Sequence, residues 1–145
     1  MEDVSKKNKE KVHYNILENW VEIIKLMIKN NCIIVPHKFI RILQRLSIVL
    51  NKPIFFGYNQ NDAQEFLQFL MECMHESLEF KVSININGKI ENDIDKLKME
   101  SYKQFTDYFK NSYSIIVEQY YGQYISGISN NKNSKSVAYS FSEAT

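Results

Sequence analysis

Three histidines (His13, His37, His75), two cysteines (Cys32, Cys73) and one run of amides and acids, Gln60-Asn61-Asp62-Ala63-Gln64-Glu65, are the residues through which this chain could do chemistry. A cysteine hydrolase needs a thiolate within hydrogen-bond reach of a histidine that a third polar group orients. Cys73 and His75 are close in sequence, but on a helix residues two apart point about 200° from each other, so they do not form a dyad. Cys32 stands in the apolar run Cys32-Ile33-Ile34-Val35, surroundings that disfavour a thiolate. Both cysteines read as buried thiols of a reducing compartment, too few for a disulfide framework. The histidines stand singly, without partners at metal-ligand spacing, so neither a metal site nor a cofactor is expected. Phosphate-cradling glycine loops and the Gly-x-Ser-x-Gly nucleophile elbow are missing as well.

The polar run is what remains. Asp62 followed three residues later by Glu65 reads as a capping box that satisfies orphan N–H groups and complements the helix dipole, worth ~1 kcal/mol. A cap leaves Gln60, Asn61 and Gln64 unexplained. Amides and acids gathered at a helix start also suit recognition of an extended peptide, because amides pair with backbone groups and carboxylates accept from Arg or from ligand N–H groups.

The elements that carry these residues follow from hydrophobic period. From His13, Ile16, Leu17, Trp20, Ile23, Ile24, Met27 and Ile28 recur at helical spacing, with Asn30-Asn31 as the stop. Pro36 suits the first turn of a second helix, in which Phe39, Ile40, Ile42, Leu43, Leu46, Ile48, Val49 and Leu50 cover most of the circumference and predict burial on most sides. Asn51 to Gln60 reads as a loop anchored by Phe55-Phe56. A third helix is expected from about Asp62 to Glu79, with Leu67, Leu70, Met71, Met74 and Leu78 as its apolar stripe, widened by Phe66, Phe69 and Cys73. Residues 81–100 alternate weakly and carry many charges, which predicts a loop or insertion, and a helix-like pattern resumes over 101–118. Alternation from Tyr120 and again toward the C terminus predicts a hairpin over 120–143, turning at Asn130-Asn131-Lys132-Asn133-Ser134-Lys135. Residues 1–12 read as a charged, frayed lead-in and 13–80 as a helical body. The fold class is therefore α+β, mainly helical with a terminal hairpin that is marginal alone and reads as the edge of a larger sheet.

Composition narrows the function. A chain of 145 residues fits one domain, and 18 basic against 17 acidic residues give a net charge of +1, so there is no global field to gather a nucleic acid. No apolar run is long enough to span a membrane and the N terminus has no signal-peptide core, so a cytoplasmic or nuclear location is expected, without nucleic-acid or membrane partners. Heavy use of Asn, Ile, Lys and Tyr hints at an AT-rich coding genome.

The stretch Asn59-Gln60-Asn61-Asp62-Ala63-Gln64-Glu65-Phe66-Leu67, continuing to His75-Glu76-Ser77-Leu78, resembles the Gln-Gln-Asp-Ala-x-Glu-Phe-Leu box of the ubiquitin-specific proteases, the papain-like cysteine deubiquitinases. Gln60, Asp62, Ala63, Glu65, Phe66 and Leu67 match, and Asn61 stands where a second Gln is usual. Tyr120 to Ser126 is similar to the family's Phe-x-Gly-Gln-Leu-x-Ser strand, and the segment Asn31 to Leu46 is similar to the form carried by giant DNA viruses. The zinc knuckle that commonly follows the strand in relatives has Asn130 and Asn133 at its cysteine places, which implies loss of the metal half-site while the hairpin persists.

The resemblance covers residues 15–143 and implies a partial papain-like fold, the helical thumb subdomain followed by a hairpin from the palm and fingers. By the same resemblance the nucleophile box belongs ahead of Met1 and the catalytic His box beyond Thr145, so no catalytic residue is expected in this chain and none of its own turnover. Gln60, Asp62 and Glu65 match residues that help line the channel for the C-terminal tail of ubiquitin, and His75 matches a structural histidine. The implied function is that of a piece of a deubiquitinase cleaving the isopeptide bond at the ubiquitin C terminus. Its expected partners are ubiquitin or a ubiquitinated protein, and the remainder of a split catalytic domain. The alternatives are a non-catalytic ubiquitin-binding or scaffold protein that keeps the thumb helices, and a plain helical interaction domain.

Overall fold

The computed structural model describes residues 11–29, 33–130 and 133–144. Within them the chain forms helices α1 (Tyr14–Met27), α2 (His37–Val49), α3 (Ala63–Leu78), α4 (Asp93–Phe109) and α5 (Ile115–Tyr120), then strands β1 (Gly122–Asn130) and β2 (Asn133–Ala144). The α+β class is as expected. Cys32, the Asn30-Asn31 stop, most of the lead-in and the centre of the hairpin turn lie outside the described residues. The chain divides into two compact units, residues 1–79 and 80–145, each with its own core.

In the first unit α1 packs on both α2 and α3. Its core is Ile16 and Leu17 of α1, Phe39, Leu43 and Leu46 of α2, Phe55, and Phe69, Leu70, Cys73 and Met74 of α3. Trp20 meets Phe39 with ring centroids 5.7 Å apart. Three expectations of burial need correction. Ile24, Met27 and Ile28 at the end of α1 are exposed, as are Ile40, Ile48 and Val49 of α2 and Leu67 of α3. The reason for α2 is geometric: the unit covers it on one side, so only the stripe Phe39, Leu43, Leu46 and Ser47 is taken up, and the rest of its apolar circumference meets solvent. Polar residues also enter the core where a local carbonyl accepts their proton, as with Ser77 Oγ to Cys73 O at 2.7 Å, Ser47 Oγ to Gln44 O at 2.8 Å and Asn19 Nδ2 to Asn15 O at 2.7 Å.

α2 ends in a Schellman motif. Asn51 takes a left-handed conformation (φ 56°), and its N–H and that of Lys52 return to the carbonyls of Ile48 and Ser47 at 3.0 and 2.6 Å. At the far end of α3, Lys11 Nζ donates to the Glu76 carbonyl at 3.1 Å and pairs with the Glu79 carboxylate, a cation placed where the helix dipole favours one.

In the second unit the sequence expectation of a loop through residue 100 is corrected. α4 begins at Asp93, eight residues earlier than expected, because Asn92 Oδ1 accepts from the Asp95 N–H at 2.8 Å and Asp93 and Asp95 fall at the positive end of the dipole. The weak alternation of 81–100 hid a helix start written in polar residues. The expected helix over 101–118 is likewise broken. Residues 110–114 leave the helix so that Tyr113 can exchange backbone hydrogen bonds with Phe80 at 2.8 and 2.9 Å, and Ser114 then starts α5. Phe109, packed against Phe105, Tyr108 and Tyr121, forms the core with Ile116 and Val117.

Ser114 is fully buried, and its Oγ accepts from the N–H groups of Ile116 and Val117 at 3.2 and 3.3 Å. Replacing Ser114 by Ala is expected to destabilise this unit by ~1–2 kcal/mol, because both donors would lose a partner away from water. Thermal unfolding of the variant checks this, with Ser114→Asp expected to lie closer to wild type in cap chemistry but to suffer from burying a charge.

β1 and β2 pair antiparallel from Gly122↔Ala144 to Ser129↔Val137, with an irregularity before Asn130↔Asn133. The strand segment Asn133 to Lys135 was expected in the turn, so the hairpin is tighter than its polar composition suggests. Gly127 lies opposite Tyr139, whose Cε1 would stand 3.2 Å from a Cβ at that position.

Candidate functional site

The polar opening of α3 is held by three local devices. Asp62 is the N-cap, with Oδ1 accepting from the N–H groups of Gln64 and Glu65 at 2.8 and 3.0 Å. Glu65 adds a negative charge in the first turn, but the reciprocal half of a capping box does not form among the described residues, and its carboxylate turns to solvent. Asn61 Nδ2 donates to the Asn59 carbonyl at 3.0 Å, which bends the chain into the helix.

The loop before it is tied down at two points. Phe55 is buried and stacks on Phe69 of α3, centroids 4.9 Å apart, while presenting an edge to Phe66 at 5.8 Å. Gly57, whose φ of 88° suits a residue without Cβ, offers its carbonyl to Gln44 Nε2 of α2 at 2.9 Å. Lys52 completes the support by pairing with Glu72 at 2.7 Å and standing 5.7 Å from the Phe69 ring centre. Of the Phe55-Phe56 pair expected to anchor the loop, Phe55 does so and Phe56 is exposed. Gln44 was not legible in the sequence, because between Leu43 and Arg45 nothing local sets it apart.

Gln60, Asp62 and Glu65 are thus brought together at one helix end, all exposed. Asp62 Oδ2 takes no bond among the described residues, so the carboxylate can cap with one oxygen and accept from a ligand with the other. The site is a fixed array of acceptors and amide groups with no nucleophile in it.

The thiol and imidazole lie elsewhere on the same helix. Cys73 is 2 % exposed, and burial first, then the neighbouring Glu72 carboxylate, push its thiol up to about 12. Burial likewise lowers the His75 imidazole below its ordinary value, against the pull of Glu76 and Glu79. An inert core thiol two residues from a half-buried histidine fits the expectation that these two form no dyad. No group of three or more His, Cys, Asp or Glu among the described residues could hold a metal ion. No helix among them is long and apolar enough to cross a membrane.

A family model described as ubiquitin carboxyl-terminal hydrolase matches residues 1–143, which take in the polar opening of α3 and nearly all of the closing hairpin. The chain belongs to the ubiquitin carboxyl-terminal hydrolase family. It is 26% identical over 147 residues to a probable ubiquitin carboxyl-terminal hydrolase of Acanthamoeba polyphaga mimivirus, an alignment covering 74% of this chain and 30% of that protein. Ubiquitin carboxyl-terminal hydrolase 2 of Bos taurus is 33% identical over 70 residues, 47% of this chain and 11% of its own length. The Rattus norvegicus protein of the same name is 34% identical over 68 residues, 46% of this chain and 10% of its own. The chain therefore spans less than a third of each of these relatives. The resemblance drawn from the Gln60 to Leu67 box holds, including its viral form, and the helices with their hairpin are a partial ubiquitin carboxyl-terminal hydrolase fold.

Proposed function

We propose that this chain is the helical part of a ubiquitin-directed cysteine hydrolase, acting in protein deubiquitination, in which Gln60, Asp62 and Glu65 line the path of the ubiquitin tail. The observation that carries the reading is the exposure of these three side chains on one rigidly braced helix end in a chain of this family. An extended peptide presents backbone N–H and C=O groups at regular intervals, and an array of one amide and two carboxylates can meet both kinds. In this reading Cys73 is not a nucleophile, because it is buried with its thiol pushed to about 12. The same placement of Cys73 favours a second reading, a ubiquitin-binding protein without chemistry of its own.

Two measurements test the proposal. Titrating isotope-labelled chain with ubiquitin should move the amide signals of Gln60 to Glu65, and Asp62→Asn or Glu65→Gln should weaken binding about fivefold each, as for an exposed charge-assisted bond of ~1 kcal/mol. Asp62→Asn is the informative change, since Asn caps a helix as well as Asp and only the charge is lost. No shift at millimolar ubiquitin would remove the tail-binding role. A ubiquitin C-terminal fluorogenic ester should give no turnover, and turnover abolished by Cys32→Ser would make the chain an enzyme in its own right.

A further inference from the structure

The exposed side of α2 carries charges that its own helix does not want. His37, Arg41 and Arg45 follow one another at four-residue spacing on one face, with Lys38 beside them and Ile48 next in line, and all are exposed. The helix has no acidic residue in its first turn and no basic residue in its last, so none of its cations falls where the dipole would favour it. Like charges one turn apart, as at Arg41 and Arg45, also repel. Lys38 is neutralised by Glu22 of α1 at 2.9 Å, whereas Arg41 and Arg45 make no ion pair among the described residues.

A groove of about 460 Å³ runs along it, lined by Val35, His37, Lys38, Arg41, Ile42 and Arg45. Its make-up is cationic at the rim and apolar at Val35 and Ile42. We propose that this face of α2 is a docking site for an acidic, amphipathic peptide segment of a partner protein, one presenting two carboxylates a helical turn apart and an apolar residue about one turn beyond. Two guanidinium groups spaced about 6 Å along the axis match carboxylates at that interval, each able to bind in the bidentate manner. The apolar residue of the segment then meets Ile48, which is 52% exposed at the end of the stripe. Charge complementarity selects the occupant, and the exposed Ile48 at the end of the stripe selects a peptide over a polyphosphate, which has nothing to place there. This site is separate from the opening of α3 and does not depend on the ubiquitin reading.

The test uses the full chain and a labelled, end-blocked helical peptide with Glu at two positions four apart and Leu three beyond the second, followed by fluorescence anisotropy. Saturable binding is expected, weakened at least about tenfold by Arg41→Glu with Arg45→Glu and lost when both peptide Glu are replaced by Gln. The charge-reversed chain should instead take up the peptide with Lys in place of both Glu, and its circular dichroism should match wild type. If that double variant fails to fold, Arg41→Gln with Arg45→Gln, together with a loss of affinity on raising salt, gives the same reading. The proposal is overturned by undiminished binding to either variant, by equal binding of the Gln peptide, by no saturable binding at millimolar peptide, or by tighter binding of duplex DNA or phosphatidylserine vesicles than of the Glu peptide.

Discussion

Phe69→Ala is expected to cost the first unit a large share of its stability and to lower its urea midpoint sharply. Phe69 is 1 % exposed and carries one face of the Phe55 stack, so its removal deletes a large buried ring and leaves Phe55 without its main partner. Truncating a buried Phe costs ~3–5 kcal/mol, while a unit of this size is held by only ~4–12 kcal/mol in total. Because the loop before α3 is anchored through Phe55, the polar helix opening should lose its order at the same time. The fluorescence of Trp20, the chain's one tryptophan, reports on this unit during urea unfolding. Phe66→Ala, at the half-buried edge of the same cluster, is the comparison. A midpoint lowered no further by Phe69→Ala than by Phe66→Ala would show that the stack does not anchor the site.

Cys73 gives the second large effect. In a Cys32→Ser background, alkylation of the native chain at pH 8 is expected to run at least ~10³ times slower than in denaturant, since a thiol pushed from 9.0 to about 12 carries that much less thiolate even before its burial is counted. The sign of the accompanying pH dependence follows from linkage. The folded chain prefers the protonated thiol, so this group stabilises the fold fully below pH 9, and the contribution fades as pH rises from 9 toward 12. Urea midpoints measured against Cys73→Ala should converge with wild type over that interval. Rapid native alkylation would place the thiol outside the core.

Much of this architecture is legible in residue spacing, and the exceptions have physical reasons. α1, α2 and α3 show in the period of their apolar residues because each lays one stripe on a shared core. The extent of burial on α2 does not show, since an apolar circumference says how much could be buried and not how many neighbours arrive to bury it. Ile40, Ile48 and Val49 stay exposed on that account. The start of α4 escaped notice because its information lies in a cap, Asn92 with Asp93 and Asp95, within a stretch too charged to show a period. The break before α5 is set by the pairing of Tyr113 with Phe80, a non-local contact that no window of sequence contains.

For the site, residue types were informative and supports were not. Asp62, Glu65 and Gln60 declare themselves as a polar run longer than a cap requires, and their exposure follows from their place at a helix end. The hydrogen bond from Gln44 to the Gly57 carbonyl joins positions thirteen apart, and nothing local marks it. The basic stripe of α2 was written in the sequence too, but its meaning emerged only when Arg41 and Arg45 proved to be without acidic partners among the described residues.

Gly127 beneath the ring of Tyr139 has a consequence for how the hairpin finds its alignment. Sliding the strands by one residue would turn every side chain to the other face, and sliding by two would keep the faces but move the ring off the glycine and set it opposite Ile125 or Ser129. The missing side chain is therefore a notch and the tyrosine its pawl, a detent that lets the ribbon seat in one position out of several otherwise equivalent in their backbone bonding.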